Sequence, residues 1–177
     1  MTNISGSAGI QLELIQEITA ALQQRGMDYW LFGGWAVDFW LGEITRPHED
    51  IDIIIWREDA PAVREALAEH GYTEAPPDPS ESGLHTHFSK RGQPIDVMFI
   101  YKQEDGIYWA DWRWPEGSFE DRQRRLEGLV CTVTGVRCIV ESKESYIQES
   151  EDQSDREKYS QDVARLKPLL AEKGAYA

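Results

Sequence analysis

The stretch 33–52, GGWAVDFWLGEITRPHEDID, constrains this chain more than any other. A short apolar run of strand type, Tyr29-Trp30-Leu31-Phe32, leads into it. Gly33-Gly34 then permits a tight turn and a close backbone approach to a bound group, because neither residue carries a Cβ. From Trp35 to Leu41 the spacing is helical, with Trp35, Phe39 and Trp40 toward a core and Asp38 directed elsewhere. A strand, a double glycine and a helix start leave unpaired backbone N–H groups at a helix N-terminus, a favourable seat for phosphate.

After a turn at Arg46-Pro47, the segment His48-Glu49-Asp50-Ile51-Asp52 runs into Ile53-Ile54-Ile55-Trp56. Strand alternation puts Asp50 and Asp52 on one face, with Cα atoms ~6.6 Å apart. Neighbouring carboxylates repel unless a cation sits between them. Hard oxygen ligands of this kind suit Mg²⁺, which takes one or two protein carboxylates plus substrate phosphates. A lone D-x-D is ordinarily a solvated acidic turn, but the glycine turn upstream shifts the reading toward metal. The isoleucine run reads as a central strand buried on both faces.

A second carboxylate position stands out. Ile95-Asp96-Val97-Met98-Phe99-Ile100 carries one charge in an apolar run, which is costly unless paired, hydrogen-bonded or bound to metal. The alternative is an edge-strand aspartate meeting water. Leu84–Lys90 and Pro94–Tyr101 read as a hairpin about Arg91-Gly92-Gln93. His85 and His87 share one face of its first arm, and with Asp96 would make a zinc-like set of three ligands. That arm reads as an edge strand whose polar side chains sit in water, which is the preferred account.

Elsewhere, Ile10, Leu14, Ile15, Ile18, Ala21 and Leu22 outline a packing helix ended by Gly26. Pro61 marks another helix start. The segment 76–83 is a loop. Aromatic residues crowd 106–119 and serve as a lid or as packing, with Asp105, Asp111, Glu116 and Glu120 as candidates for a pocket for amino groups. Leu129–Val133 and Val136–Val140 read as a hairpin about Thr134-Gly135, which would set Cys131 opposite Cys138. A bridge is then geometrically possible, though a reducing cytosol favours two free thiols. Helices are expected over 143–149 and 154–173, the latter capped by Ser154 with Glu157, lined by Tyr159, Val163, Leu166 and Leu170, and kinked or shortened at Pro168.

With 177 residues the chain suits one well-buried core. It has 32 acidic and 18 basic residues, a formal charge of −14. That balance disfavours nucleic acid, whose phosphates require Lys and Arg, and favours cationic small molecules. No membrane-length apolar run or signal segment is visible, which points to the cytoplasm and away from a membrane. Hydrolase elbows, Walker loops and dinucleotide fingerprints are missing from the sequence.

Gly33-Gly34-Trp35-Ala36-Val37-Asp38 followed by Arg46-x-His48-x-Asp50-Ile51-Asp52 resembles the antibiotic nucleotidyltransferases of the polymerase-beta-like superfamily. Within it the sequence is most similar to the small aminoglycoside 2″-adenylyltransferases and the lincosamide nucleotidyltransferases. Trp35 stands where many superfamily members carry Ser, a pattern usual in the drug-modifying branch. The resemblance implies an α/β (α+β) core, a mixed sheet flanked by helices, over 1–140, and a small C-terminal helical cap over 141–177 on the same unit.

It further implies transfer of a nucleoside monophosphate, AMP from ATP foremost, to a hydroxyl of a cationic antibiotic, an aminoglycoside ahead of a lincosamide. Asp50, Asp52 and Asp96 would hold Mg²⁺, two ions, with Asp96 also the general base. Gly33, Gly34, Arg46 and Lys158 would contact the nucleoside triphosphate. The alternatives are a nucleotidyltransferase-like antitoxin or regulatory module, or an enzyme that modifies protein or RNA hydroxyls. An intact carboxylate triad favours catalysis, and the acidic balance disfavours RNA.

Overall fold

The computed structural model describes residues 6–78 and 83–170. The isoleucine run forms β2 (Ile51–Trp56), in which Ile51, Ile53, Ile54 and Ile55 are all buried. Burial on both faces follows from its neighbours. β1 (Tyr29–Leu31) pairs with it antiparallel on one side, and β5 (Gln93–Gln103) pairs parallel on the other. β4 (His85–Lys90) and the short β3 (Thr73–Glu74) complete a mixed sheet in the order β1-β2-β5-β4-β3. The far end of β5 carries β6 (Gly106–Trp109) and β7 (Trp112–Arg113).

Helices pack on this sheet. α1 (Gly6–Gln24) contacts β5 and α3 (Ala60–Glu69), while α2 (Gly33–Leu41) contacts β2 and both C-terminal helices, α4 (Val136–Glu149) and α5 (Gln153–Leu170). One hydrophobic cluster runs from Ala8 to Leu166, so the segment beyond 140 shares the core of the segment before it. The boundary expected at 140/141 falls inside α4. Among the described residues, no helix is long and apolar enough to cross a membrane.

The expected hairpin of β4 and β5 is present, turning on Arg91 and Gly92, both at positive φ. Two left-handed residues match the twist of the flanking strands. The expected hairpin about Thr134-Gly135 is not. β9 (Leu129–Thr132) pairs instead with β8 (Gln123–Leu126), through a turn at Glu127 and Gly128, again both at positive φ. From Val136 the chain is helical, because Val136, Ile139, Val140 and Lys143 recur at i, i+3, i+4 and i+7 and are buried together. Burial of that stripe outweighs the strand preference of its β-branched residues. Cys131 therefore lies on β9 and Cys138 on α4, both unbonded and buried, and burial pushes both thiols up to about 12.

Smaller corrections concern α2 and α5. Asp38, expected off the packed side, is fully buried. The cap of α5 is Asp152, whose Oδ1 accepts from Ser154 N at 2.7 Å and Ser154 Oγ at 2.8 Å, in place of the Ser154 box. α5 continues through Pro168 to Leu170, and its expected extension to residue 173 lies outside the described residues, as do positions 79–82 of the 76–83 loop.

Candidate active site

The parallel register of β2 and β5 sets Asp52 directly beside Asp96. Asp50 precedes β2 by one residue, and ligand oxygens of Asp50, Asp52 and Asp96 all lie within 4.8 Å of one another. The three expected carboxylates are thus gathered. Burial, and after it the charges of Asp50 and Asp96, push the Asp52 carboxyl up to about 7. Asp50 is raised for the same reasons, burial first and then Asp96 and Glu49. Lys143 and Arg46 draw the Asp52 carboxyl down by less than burial and its acidic neighbours raise it, and the repulsion that remains is what a divalent ion would relieve.

The two glycines fit against the carboxylate loop. A Cβ on Gly33, whose φ is +60°, would fall 1.8 Å from Asp52 Oδ2. One on Gly34 would fall 2.3 Å from His48 Nδ1 and 3.1 Å from Arg46 Nη2. So the double glycine lets the start of α2 press onto Asp52 and His48, as well as leaving that helix end without a side-chain cap. The loop is held from below by a buried pair, His48 Nε2 at 2.5 Å from Asp38 Oδ2. Asp38 Oδ1 also accepts from Thr45 N and Oγ1 at 3.1 and 2.6 Å. Gln11 of α1 donates to His48 O and accepts from Trp35 Nε1, tying the N-terminal helix to the same loop.

The cleft over these residues has a volume of about 230 Å³ and is lined by Gly33, Gly34, Arg46, Asp50, Asp52 and Lys158, among others. α4 contributes two residues that sequence reasoning missed, Lys143 and Tyr146, and α5 adds Tyr159. Lys143 is almost wholly buried and pairs with Asp162 at 3.0 Å, which in turn accepts from Arg46 Nη2 at 3.1 Å. Burial pulls the Lys143 amine down, against the pull of Asp162. Burial works against the charge of Asp162 too, yet Lys143 and Arg46 outweigh it and hold that carboxyl below its ordinary range. Lys158 lies 3.0 Å from Asp155 and 3.8 Å from Glu49. The sequence sets Lys143 at the head of a short helix over 143–149, whereas α4 begins at Val136 and carries Lys143 on its buried stripe.

The aromatic segment divides. Trp112 stacks on Trp114, and Trp114 meets Phe119 and Phe32 edge-on, which is packing. Trp109 alone of this group reaches the cleft, fixed by its Nε1 donating to Leu84 O at 3.1 Å. Asp105, Glu116 and Glu120 line a different cavity, of about 740 Å³, to which Asp111 does not contribute.

With this geometry in view, the chain belongs to the aminoglycoside-2''-adenylyltransferase family, whose family model matches residues 14–166. A 2''-aminoglycoside nucleotidyltransferase of Klebsiella pneumoniae is 49% identical over 43 residues, 24% of this chain and 24% of that protein. The same figures hold for one from Escherichia coli, so the aligned stretch spans about a quarter of these curated relatives. Among solved structures, ANT(2'')-Ia in complex with adenylyl-2''-tobramycin superposes with a TM-score of 0.77 at 20% identity, covering 94% of this chain and 92% of that one. The lincosamide adenylyltransferase LnuA, lincomycin-bound, gives 0.67 at 19% identity, covering 88% and 95%. The fold is accordingly the polymerase-beta-like nucleotidyltransferase fold, as expected from the sequence.

Proposed function

We propose that this protein transfers a nucleoside monophosphate, AMP from ATP, to a hydroxyl of an aminoglycoside. The observation that carries the reading is the register of Asp52 with Asp96 on parallel strands, with Asp50 completing a carboxylate triad beside the Gly33-Gly34 turn. Family membership over residues 14–166 supports the substrate class, and the formal charge of −14 favours approach of a polycation.

Asp50, Asp52 and Asp96 would hold Mg²⁺, which would supply positive charge to offset the negative charge developing at the attacked phosphorus. The donor set fits, being three clustered carboxylates with Asp52 pushed up to about 7 by burial and by the other two. The residues themselves do the remainder. A carboxylate oxygen of Asp96 accepts the proton of the drug hydroxyl as that oxygen attacks the α-phosphorus in line, and pyrophosphate leaves. Arg46 and Lys158 line the cleft and would meet the departing diphosphate, while Lys143 is paired with Asp162. The uncapped start of α2 at Gly33 and Gly34 directs backbone N–H groups toward the same anion.

At about 230 Å³ the cleft is smaller than an ordinary ligand site of roughly 300–1,000 Å³. The test is a panel of aminoglycosides and lincosamides incubated with ATP, GTP, CTP or UTP and Mg²⁺, read by mass spectrometry. A gain of one AMP on an aminoglycoside is expected. Gain on lincosamides alone reassigns the drug class, and no gain on any drug overturns the reading.

A further inference from the structure

One row of the sheet reads Asp52, Asp96, His87 across three adjacent strands, since His87 is the register partner of Asp96 on β4. Two residues earlier on the same face of β4 stands His85, opposite Met98. His85, His87 and Asp96 each present a ligand atom within 4.8 Å of the other two. His87 Nδ1 lies 2.7 Å from Asp96 Oδ1, and the two imidazole rings are 4.5 Å apart. Asp96 therefore belongs to two clusters of different chemistry. On one side its partners are carboxylates; on the other they are imidazoles.

We propose that His85, His87 and Asp96 bind a transition-metal ion of the Zn²⁺ class, and that the ion inhibits nucleotidyl transfer by engaging Asp96. Imidazole nitrogen selects Zn²⁺, Cu²⁺ or Ni²⁺ over Mg²⁺, whereas the Asp50–Asp52 side offers only oxygen. Ligands held at about 2.0–2.2 Å from one zinc are themselves about 3–3.5 Å apart, so small side-chain rotations close the set. Among the described residues β3 pairs with β4 at Phe88 and Ser89, and Ala75 N donates to His87 O at 2.8 Å. With 38% of its side chain exposed, His87 gives an ion a path from solvent. Three protein ligands leave a fourth position for water. Binding of the ion is independent of the proposed activity; the inhibition rests on the reading of Asp96 as proton acceptor.

The experiment is equilibrium dialysis of the full chain against Zn²⁺ in millimolar Mg²⁺, with Co²⁺ absorption as an optical probe of the ligand set. One zinc per chain is expected. His85→Ala and His87→Ala should each weaken it by more than the roughly 10–100-fold that loss of an outer-shell partner costs. Asp50→Asn should retain it, and melting curves establish that each variant is folded. Zinc affinity unchanged in both histidine variants, or no zinc bound, overturns the site. Zinc bound while transfer proceeds undiminished overturns the inhibition alone.

Discussion

Two groups of aspartates act on one buried lysine, Lys143, and are treated in opposite ways. Asp162 is buried between Lys143 and Arg46, and its carboxyl is held below the ordinary range. Asp52 faces Asp50 and Asp96, and burial together with their charges pushes it up to about 7. The paired aspartate is satisfied within the protein and fastens α5 to α4 and to the Arg46 loop. Among the described residues the Asp50–Asp52–Asp96 cluster has His87, on Asp96, as a close partner, and the burial and repulsion that raise Asp52 are the signature of a site built to receive a cation. Identical side chains therefore have structural and functional roles set by their neighbours.

The comparison breaks most visibly at Asp52. Asp52→Asn is expected to lower transfer at least roughly 10³-fold, the several kcal/mol that charge stabilisation by a bound metal supplies. The same change removes one of three like charges, so the metal-free protein should gain stability on the order of 1 kcal/mol at neutral pH. Steady-state kinetics and thermal melting read the two halves. Full activity in the folded variant contradicts the metal role.

Asp96→Asn separates the proton acceptor from the metal cradle. Turnover is expected to fall roughly 10²–10⁴-fold with nucleotide affinity kept, as measured by kcat against nucleotide titration. A loss of nucleotide binding instead makes Asp96 chiefly a metal ligand.

Asp162→Asn should act in the other direction from Asp52→Asn, costing about 3–5 kcal/mol in denaturant melts, because it strands the buried Lys143 amine. The sign with pH follows from the lowered carboxyl. The stability from this pair is complete above the ordinary 3.8 and is lost as pH falls through the depressed value. Acid titration of the melting temperature should therefore be flatter below pH 3.8 in Asp162→Asn than in the parent.

Much of this site could be read in the chain because its signals are local. The alternation at Asp50-x-Asp52 and the glycines before α2 are fixed within twenty residues, and Asp96 declares itself as one charge in an apolar strand. What was hidden depends on distant partners. Val136–Val140 reads as a strand by residue type, and only its burial against α2 and α5 makes it a helix. That misreading also concealed Lys143 and its link to Asp162. The turn at Glu127-Gly128 was the local cue to the true partner of β9. Asp38 reads as lying off the packed side because its hydrogen-bond partners, His48 and Thr45, lie across the loop and not along α2.

The most direct measurement is a Mn²⁺ titration by electron paramagnetic resonance, with Mn²⁺ standing in for Mg²⁺ and a non-hydrolysable ATP analogue present. The wild-type chain should take up the ion, Asp52→Asn should lose it, and Asp162→Asn, where folded, should keep it. Equal uptake by wild type and Asp52→Asn would mean that the carboxylate triad is not the cation site.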